Sequence, residues 1–252
     1  MQAVVDGLMT HYEKTGKGQP IVLLHGWGQN LGSFSALVKD LSKKYTVLSL
    51  DLPGFGGTEG SKTAWNLDDY ASFVASWLKK IEVEGVYAYV GHSHGGAVSI
   101  RGLSLGLLEA QKLVLLGSAG IRRPNSPKWL AYKTLSKTGK LITMPLPRHY
   151  KIRAKRLFYD KLGSDIGLFP TMEDTFRRII SQDLQDDARI LRLPTLLVYG
   201  ERDTETPIRI GRIFHKDIAG SRLEIIEGEN HFVHQTRPEV VNKMVLDFLG
   251  AK

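Results

Sequence analysis

One feature restricts the fold of this chain more than any other. Short apolar runs recur along its length, and helical patterns fill the gaps between them. The runs cover residues 21–25, 45–50, 86–90, 112–116, 194–199 and 222–226. Runs this short and continuous read as strands buried on both faces of a parallel sheet. Residues 33–42, 67–81, 98–108, 207–218 and 238–249 read as the intervening helices. Ser33 and Asn66 are suited to cap the first two, and Pro207 and Pro238 suit a first helical turn. Such alternation predicts an α/β fold with a doubly wound, mostly parallel sheet. Ahead of it, residues 3–13 read as an antiparallel hairpin turning at Asp6-Gly7.

The rhythm breaks at 122–190, where no strand-like run occurs. Residues 148–162 align Tyr150, Ala154, Leu157 and Phe158 on one helical face, and 171–184 do the same with Phe176, Ile179, Ile180 and Leu184. The expected organisation is one core built from 1–121 and 191–252, interrupted by a helical insert at 122–190. The insert also holds most of the basic excess. Twelve Lys or Arg lie between Arg122 and Lys161 against a single acid, Asp160, in a chain of net charge +8. This reads as a solvated face, with no nucleic-acid partner. A membrane-surface role fits poorly, because Trp129 shares its helical face with Lys133, Lys137 and Lys140. No apolar run is long enough to span a bilayer. The first residues carry no signal-peptide pattern, which predicts a cytoplasmic protein.

Zero cysteines exclude disulfides, thiolate catalysis and cysteine zinc sites. The chemistry must come from other residues. G-H-S-H-G (91–95) directly follows a buried run and directly precedes a helix, which is the setting a nucleophile elbow needs. Its glycines let strand and helix backbones approach closely. On so sharp a turn the neighbours of Ser93 point away from it. His92 therefore packs beneath the elbow, and His94 offers its backbone N–H to an oxyanion rather than its ring to the serine.

The base must come from further along the chain. In the order Ser, acid, His, the acid falls at G-E-R-D (200–203) after one run, and the histidine at G-E-N-H-F (228–232) after the next. The reading is Ser93 as nucleophile, His231 as general base and Asp203 as the acid that holds the imidazole tautomer. His234 and Glu201 are the rivals. His234 already turns into the following helix, and Glu201 sits too close to the strand end. H-G-W-G (25–28) ends the first core run and directs the Trp27 N–H toward the same oxyanion as the His94 N–H. Ser118, Trp129 and Phe232 are expected near the pocket mouth. The remaining histidines show no ligand spacing with carboxylates, so no metal and no cofactor are expected.

With D-L-P-G-F-G-G (51–57) added, a structural turn after a strand, these motifs span nearly the whole chain. The chain resembles an α/β-hydrolase fold enzyme with a helical cap, a serine hydrolase of the carboxylesterase kind. The resemblance implies that 122–190 roofs the substrate pocket. A serine nucleophile separates the chain from the haloalkane dehalogenases and epoxide hydrolases of this family, which use aspartate. Prolyl-aminopeptidase relatives carry a tryptophan where His94 stands. Hydrolases of meta-cleavage products carry an asparagine where His92 stands and a tryptophan where Phe232 stands. The expected activity is hydrolysis of small-molecule carboxylic esters through an acyl-enzyme. The alternatives are carbon–carbon cleavage of 2-hydroxy-6-oxo-dienoates by the same triad, with Arg177 or Arg178 on the carboxylate, and a non-catalytic small-molecule receptor of the same fold.

Overall fold

A computed structural model of the chain describes residues 1–122 and 172–250. Eight strands form one sheet: β1 (Gln2–Val5), β2 (Leu8–Thr15), β3 (Pro20–Leu24), β4 (Thr46–Leu50), β5 (Ala88–His92), β6 (Lys112–Leu116), β7 (Thr195–Gly200) and β8 (Arg222–Ile226). Their spatial order is β1-β2-β4-β3-β5-β6-β7-β8. β1 pairs antiparallel with β2, and β2 antiparallel with β4; every other pair is parallel. The leading hairpin turns at Asp6 and Gly7, whose φ values of 49° and 80° match the twist of the flanking strands.

Helices cover both faces. α1 (Ser35–Leu41) and α8 (Pro238–Leu249) pack on one. α2 (Leu67–Lys80), α3 (His94–Ser104) and α6 (Ile208–Asp217) pack on the other. Side chains on β3 alternate accordingly. Ile21 and Leu23 join Leu37, Leu41 and Val245 in one core, while Val22 and Leu24 join Phe73, Val98 and Phe214 in the second. α2 starts as its sequence implies: the Asn66 side chain accepts from the Asp68 and Asp69 amides, and the Asp69 carboxylate reaches back to the Asn66 amide.

Several boundaries move. Ser33 is not a cap. It lies inside a 3-10 turn, Leu31–Phe34, capped by Asn30, whose side chain accepts from the Gly32 N–H. β5 begins two residues later than expected and runs to His92, because its ladder with β6 continues to the pair His92–Leu116. The helix after the elbow spans His94–Ser104 rather than 98–108. Within it Gly95 packs against the Leu24 and His25 carbonyls and Gly96 against the Ser118 side chain, and Gly106 closes the segment at φ 67°.

The 122–190 segment is described only at its ends. Trp129, the helix expected over 148–162 and the basic stretch beyond Arg122 lie outside the described residues. Its returning end forms α4 (Glu173–Ser181) and α5 (Gln185–Ile190) instead of one helix over 171–184. The break at Gln182 has a clear cause. Its carboxamide accepts from the Leu67 N–H at 2.7 Å and donates to Asp68 at 3.1 Å, so contacts to the start of α2 outweigh one more helical turn. Ile179 and Leu184 are buried; Ile180, expected on the same face, is 38% exposed. Arg101 of α3 ties this end down, donating to Asp68 at 2.7 Å and to Asp187 of α5 at 2.7 Å.

Candidate active site

β5 is a central strand, and its carboxyl end carries Ser93. In a mostly parallel sheet that edge is where ligands meet the fold. Ser93 has φ 49° and ψ −109°, a conformation that costs an L-residue about 1–3 kcal/mol. Backbone bonds on both sides hold it there. Its N–H donates to the Leu116 carbonyl at 3.0 Å, and its carbonyl accepts from Ala97 and Ala119, each at 3.1 Å. The turn is closed by close packing: a Cβ on Gly95 would lie 2.0 Å from the Leu24 carbonyl oxygen. Any larger residue there would push α3 off β3.

Two loops from other strands converge on this point. After β7, Asp203 is buried with four partners. Its Oδ1 accepts from the Glu205 and Thr206 amides at 2.9 and 2.8 Å. Its Oδ2 lies 2.7 Å from His231 Nδ1 and 2.8 Å from the Thr206 hydroxyl. After β8, His231 is 7% exposed and packs against Gly117, beside the Leu116 carbonyl that holds Ser93. The His231–Asp203 pair thus leaves Nδ1 committed as a donor and Nε2 able to accept a proton.

The rivals are placed elsewhere. Glu201 is exposed and accepts from the Gly228 N–H. His234 lies in α7 (Val233–Thr236), 2% exposed, packed against Phe34 and His92 with no carboxylate beside it. Trp27 follows β3 and sits with His94: their ring centroids are 5.7 Å apart, and Phe55 and Phe176 pack on the same indole. Among the described residues no acceptor meets the His94 backbone N–H.

Phe232 is 39% exposed and lies over His231, with ring centroids 5.3 Å apart. Ser118, expected at the mouth, is instead fully buried. Its hydroxyl is turned to the Ala119 carbonyl and wedged against Gly96 of α3, so the close strand–helix contact consumes it. Arg177 pairs with Glu173 one turn away, and Arg178 is spent on the Ala64 carbonyl.

Asp51 accepts from the Leu31 and Gly57 amides and from His11, which makes the 51–57 turn structural. Sequence reasoning missed Thr206 and Gln29. Thr206 had a readable signal: Asp203 is a short polar side chain placed to accept the amides that follow it, that of Thr206 among them. No group of three or more acids, histidines or cysteines suits a metal ion among the described residues. No described helix is long and apolar enough to cross a membrane.

Burial leaves four histidines neutral. Loss of hydration lowers His25 from 6.5 to about 4, and His94 and His234 to about 3; it also drives His92 well down, with His234 and His231 adding to the effect. An unfolded histidine binds its proton near 6.5. Below that pH the unfolded chain therefore binds more protons, and folding weakens. Stability should hold above about pH 6.5 and fall steadily toward pH 4, at about 1.4 kcal/mol per unit of separation for each group. Urea midpoints at pH 8, 6 and 5 would show it; an unchanged midpoint from pH 7 to 5 would contradict it.

An elbow at the end of a central strand, with an acid and a histidine from the ends of β7 and β8, defines an α/β hydrolase. The chain belongs to the Alpha/beta hydrolase family, whose profile matches residues 21–244. It is 30% identical to "Uncharacterized hydrolase YugF" of Bacillus subtilis (strain 168), over 97% of this chain and 96% of that one. It is 26% identical to "2-hydroxy-6-oxo-6-(2'-aminophenyl)hexa-2,4-dienoic acid hydrolase" of Metapseudomonas resinovorans, over 98% and 89%. Its fold superposes on "Esterase (EaEST) from Exiguobacterium antarcticum" with a TM-score of 0.78 at 22% identity, over 99% of both chains. It is an enzyme of the α/β-hydrolase class.

Proposed function

We propose that this enzyme is a serine hydrolase that cleaves small to medium carboxylic esters through an acyl-enzyme on Ser93. The observation that carries the reading is the buried 2.7 Å contact from His231 Nδ1 to Asp203, set beside a serine in a strained elbow. Ser93 Oγ attacks the ester carbonyl carbon, and its proton passes to His231 Nε2. The carbonyl electron pair moves onto oxygen, where the backbone N–H groups of His94 and Trp27 receive it, each donor contributing about 3 kcal/mol. The tetrahedral species collapses, and the alcohol leaves with the proton from His231. A water then repeats the sequence on the acyl carbon and frees the acid. Asp203 keeps Nδ1 protonated and stabilises the imidazolium without itself taking the proton. Residues 122–190 are proposed as the cap over this site.

A second reading is hydrolysis of a carbon–carbon bond, favoured by the similarity to the Metapseudomonas hydrolase. Against it, Arg177 and Arg178, the two arginines expected to meet a dienoate carboxylate, both have protein partners. A p-nitrophenyl ester series from acetate to laurate tests the choice. Turnover with a chain-length optimum supports the esterase. Silence across the series from a folded sample overturns it, and bleaching of a yellow dienoate then supports the second reading.

A further inference from the structure

His92 immediately precedes Ser93 and is 1% exposed. Its two ring nitrogens face other segments of the site. Nε2 lies 3.1 Å from the backbone carbonyl of His231. Nδ1 lies 2.8 Å from Oε1 of Gln29, which also accepts the Gly26 N–H at 3.1 Å. The ring is packed between two others, tilted 47° to each, with centroids 4.7 Å from His231 and 4.3 Å from His234. Position 26 is shaped around it: a Cβ there would lie 2.6 Å from Nδ1, so the turn that carries Trp27 needs a glycine to admit the imidazole. One buried ring thus touches the nucleophile strand, the loop before Trp27 and the loop that holds His231.

We propose that His92 is a positioning residue: it sets the distance of the His231 loop and of the Trp27 loop from Ser93. This rests on the esterase reading of the site. The physical reason is the placement of one buried ring between two loops. The His231 carbonyl and the Gln29 oxygen are both acceptors, and the His92 ring reaches each of them. A neutral imidazole carries one N–H, so the ring donates to one acceptor and packs against the other. Removing the ring takes a donor from one loop and packing from the other, and a shift of about 1 Å at a reacting group costs about 100-fold in rate. His92 touches no reacting atom, so its loss should lower kcat and leave KM nearly unchanged.

The test compares His92→Gln with His92→Met, two unbranched side chains of similar length that differ in having a donor. The first readout is the rate at which a p-nitrophenyl phosphonate releases nitrophenolate and labels Ser93, located by mass spectrometry. The second is kcat and KM on the best ester of the series. We expect the Met variant to label and turn over about 10- to 100-fold more slowly than wild type, with KM within about 3-fold. The Gln variant should recover most of that loss. Equal rates for the two variants, at whatever thermal stability, would overturn the proposal and leave His92 a packing residue. Wild type that fails to label at Ser93 would instead overturn the esterase reading, so the two failures are distinguishable.

Discussion

Ser93→Ala is expected to lower kcat on the best p-nitrophenyl ester by about four orders of magnitude or more, with folding unchanged. The reason is the absence of a substitute. His92 and His94 flank the serine, but His92 is bonded to Gln29 and the His231 carbonyl, and the His94 ring packs on Trp27 and Tyr70. Among the described residues no second hydroxyl stands in for it at the elbow: the Ser118 hydroxyl is turned into the protein. Relief of the strained backbone at position 93 is not expected, because the neighbouring bonds to Leu116, Ala97 and Ala119 remain. The residual rate should match that of bound ester attacked by water, and the phosphonate label should disappear. Retention of more than about a tenth of the activity would move the nucleophile elsewhere.

Asp203→Asn should cost nearly as much, about 10⁴-fold in kcat, while changing the structure little. The Asn oxygen still accepts the Glu205 and Thr206 amides that hold the loop. The new NH2 then takes the place of Oδ2, facing His231 Nδ1 at 2.7 Å and the Thr206 hydroxyl at 2.8 Å. Two donors would face each other, so the ring must place its proton on Nε2. That is the nitrogen the serine proton needs. The expected signature is a collapse in kcat with KM and melting temperature near those of wild type. A loss below about 10-fold would mean that Asp203 is a loop brace and not the partner of a base.

Most of the sheet was legible because its strands are buried on both faces, so their apolar runs carry little polar interruption. The elbow was legible because G-H-S-H-G joins such a run to a helix. The pairing of Asp203 with His231 was legible only as chain order; the preference over Glu201 and His234 rested on distance from the strand ends. What failed did so for tertiary reasons. Ser118 looked like a pocket residue because it follows a strand on the active edge, yet α3 lies so close that its hydroxyl fills the gap at Gly96. Residues 171–184 carry an unbroken helical pattern, and the helix stops at Ser181 because Gln182 bonds the start of α2. Gln29 and Thr206 sit in loops with no periodicity to mark them.

Local chemistry along the chain determined the alternation of strands and helices, the sharp G-H-S-H-G turn between strand and helix and the absence of thiol chemistry. These follow from side-chain type and spacing over a few residues. Tertiary structure decided which carboxylate meets which imidazole and where the His92 ring sits. Such choices are made between segments separated by 28, 63 and 139 positions, through contacts of about 3 Å that no local pattern encodes.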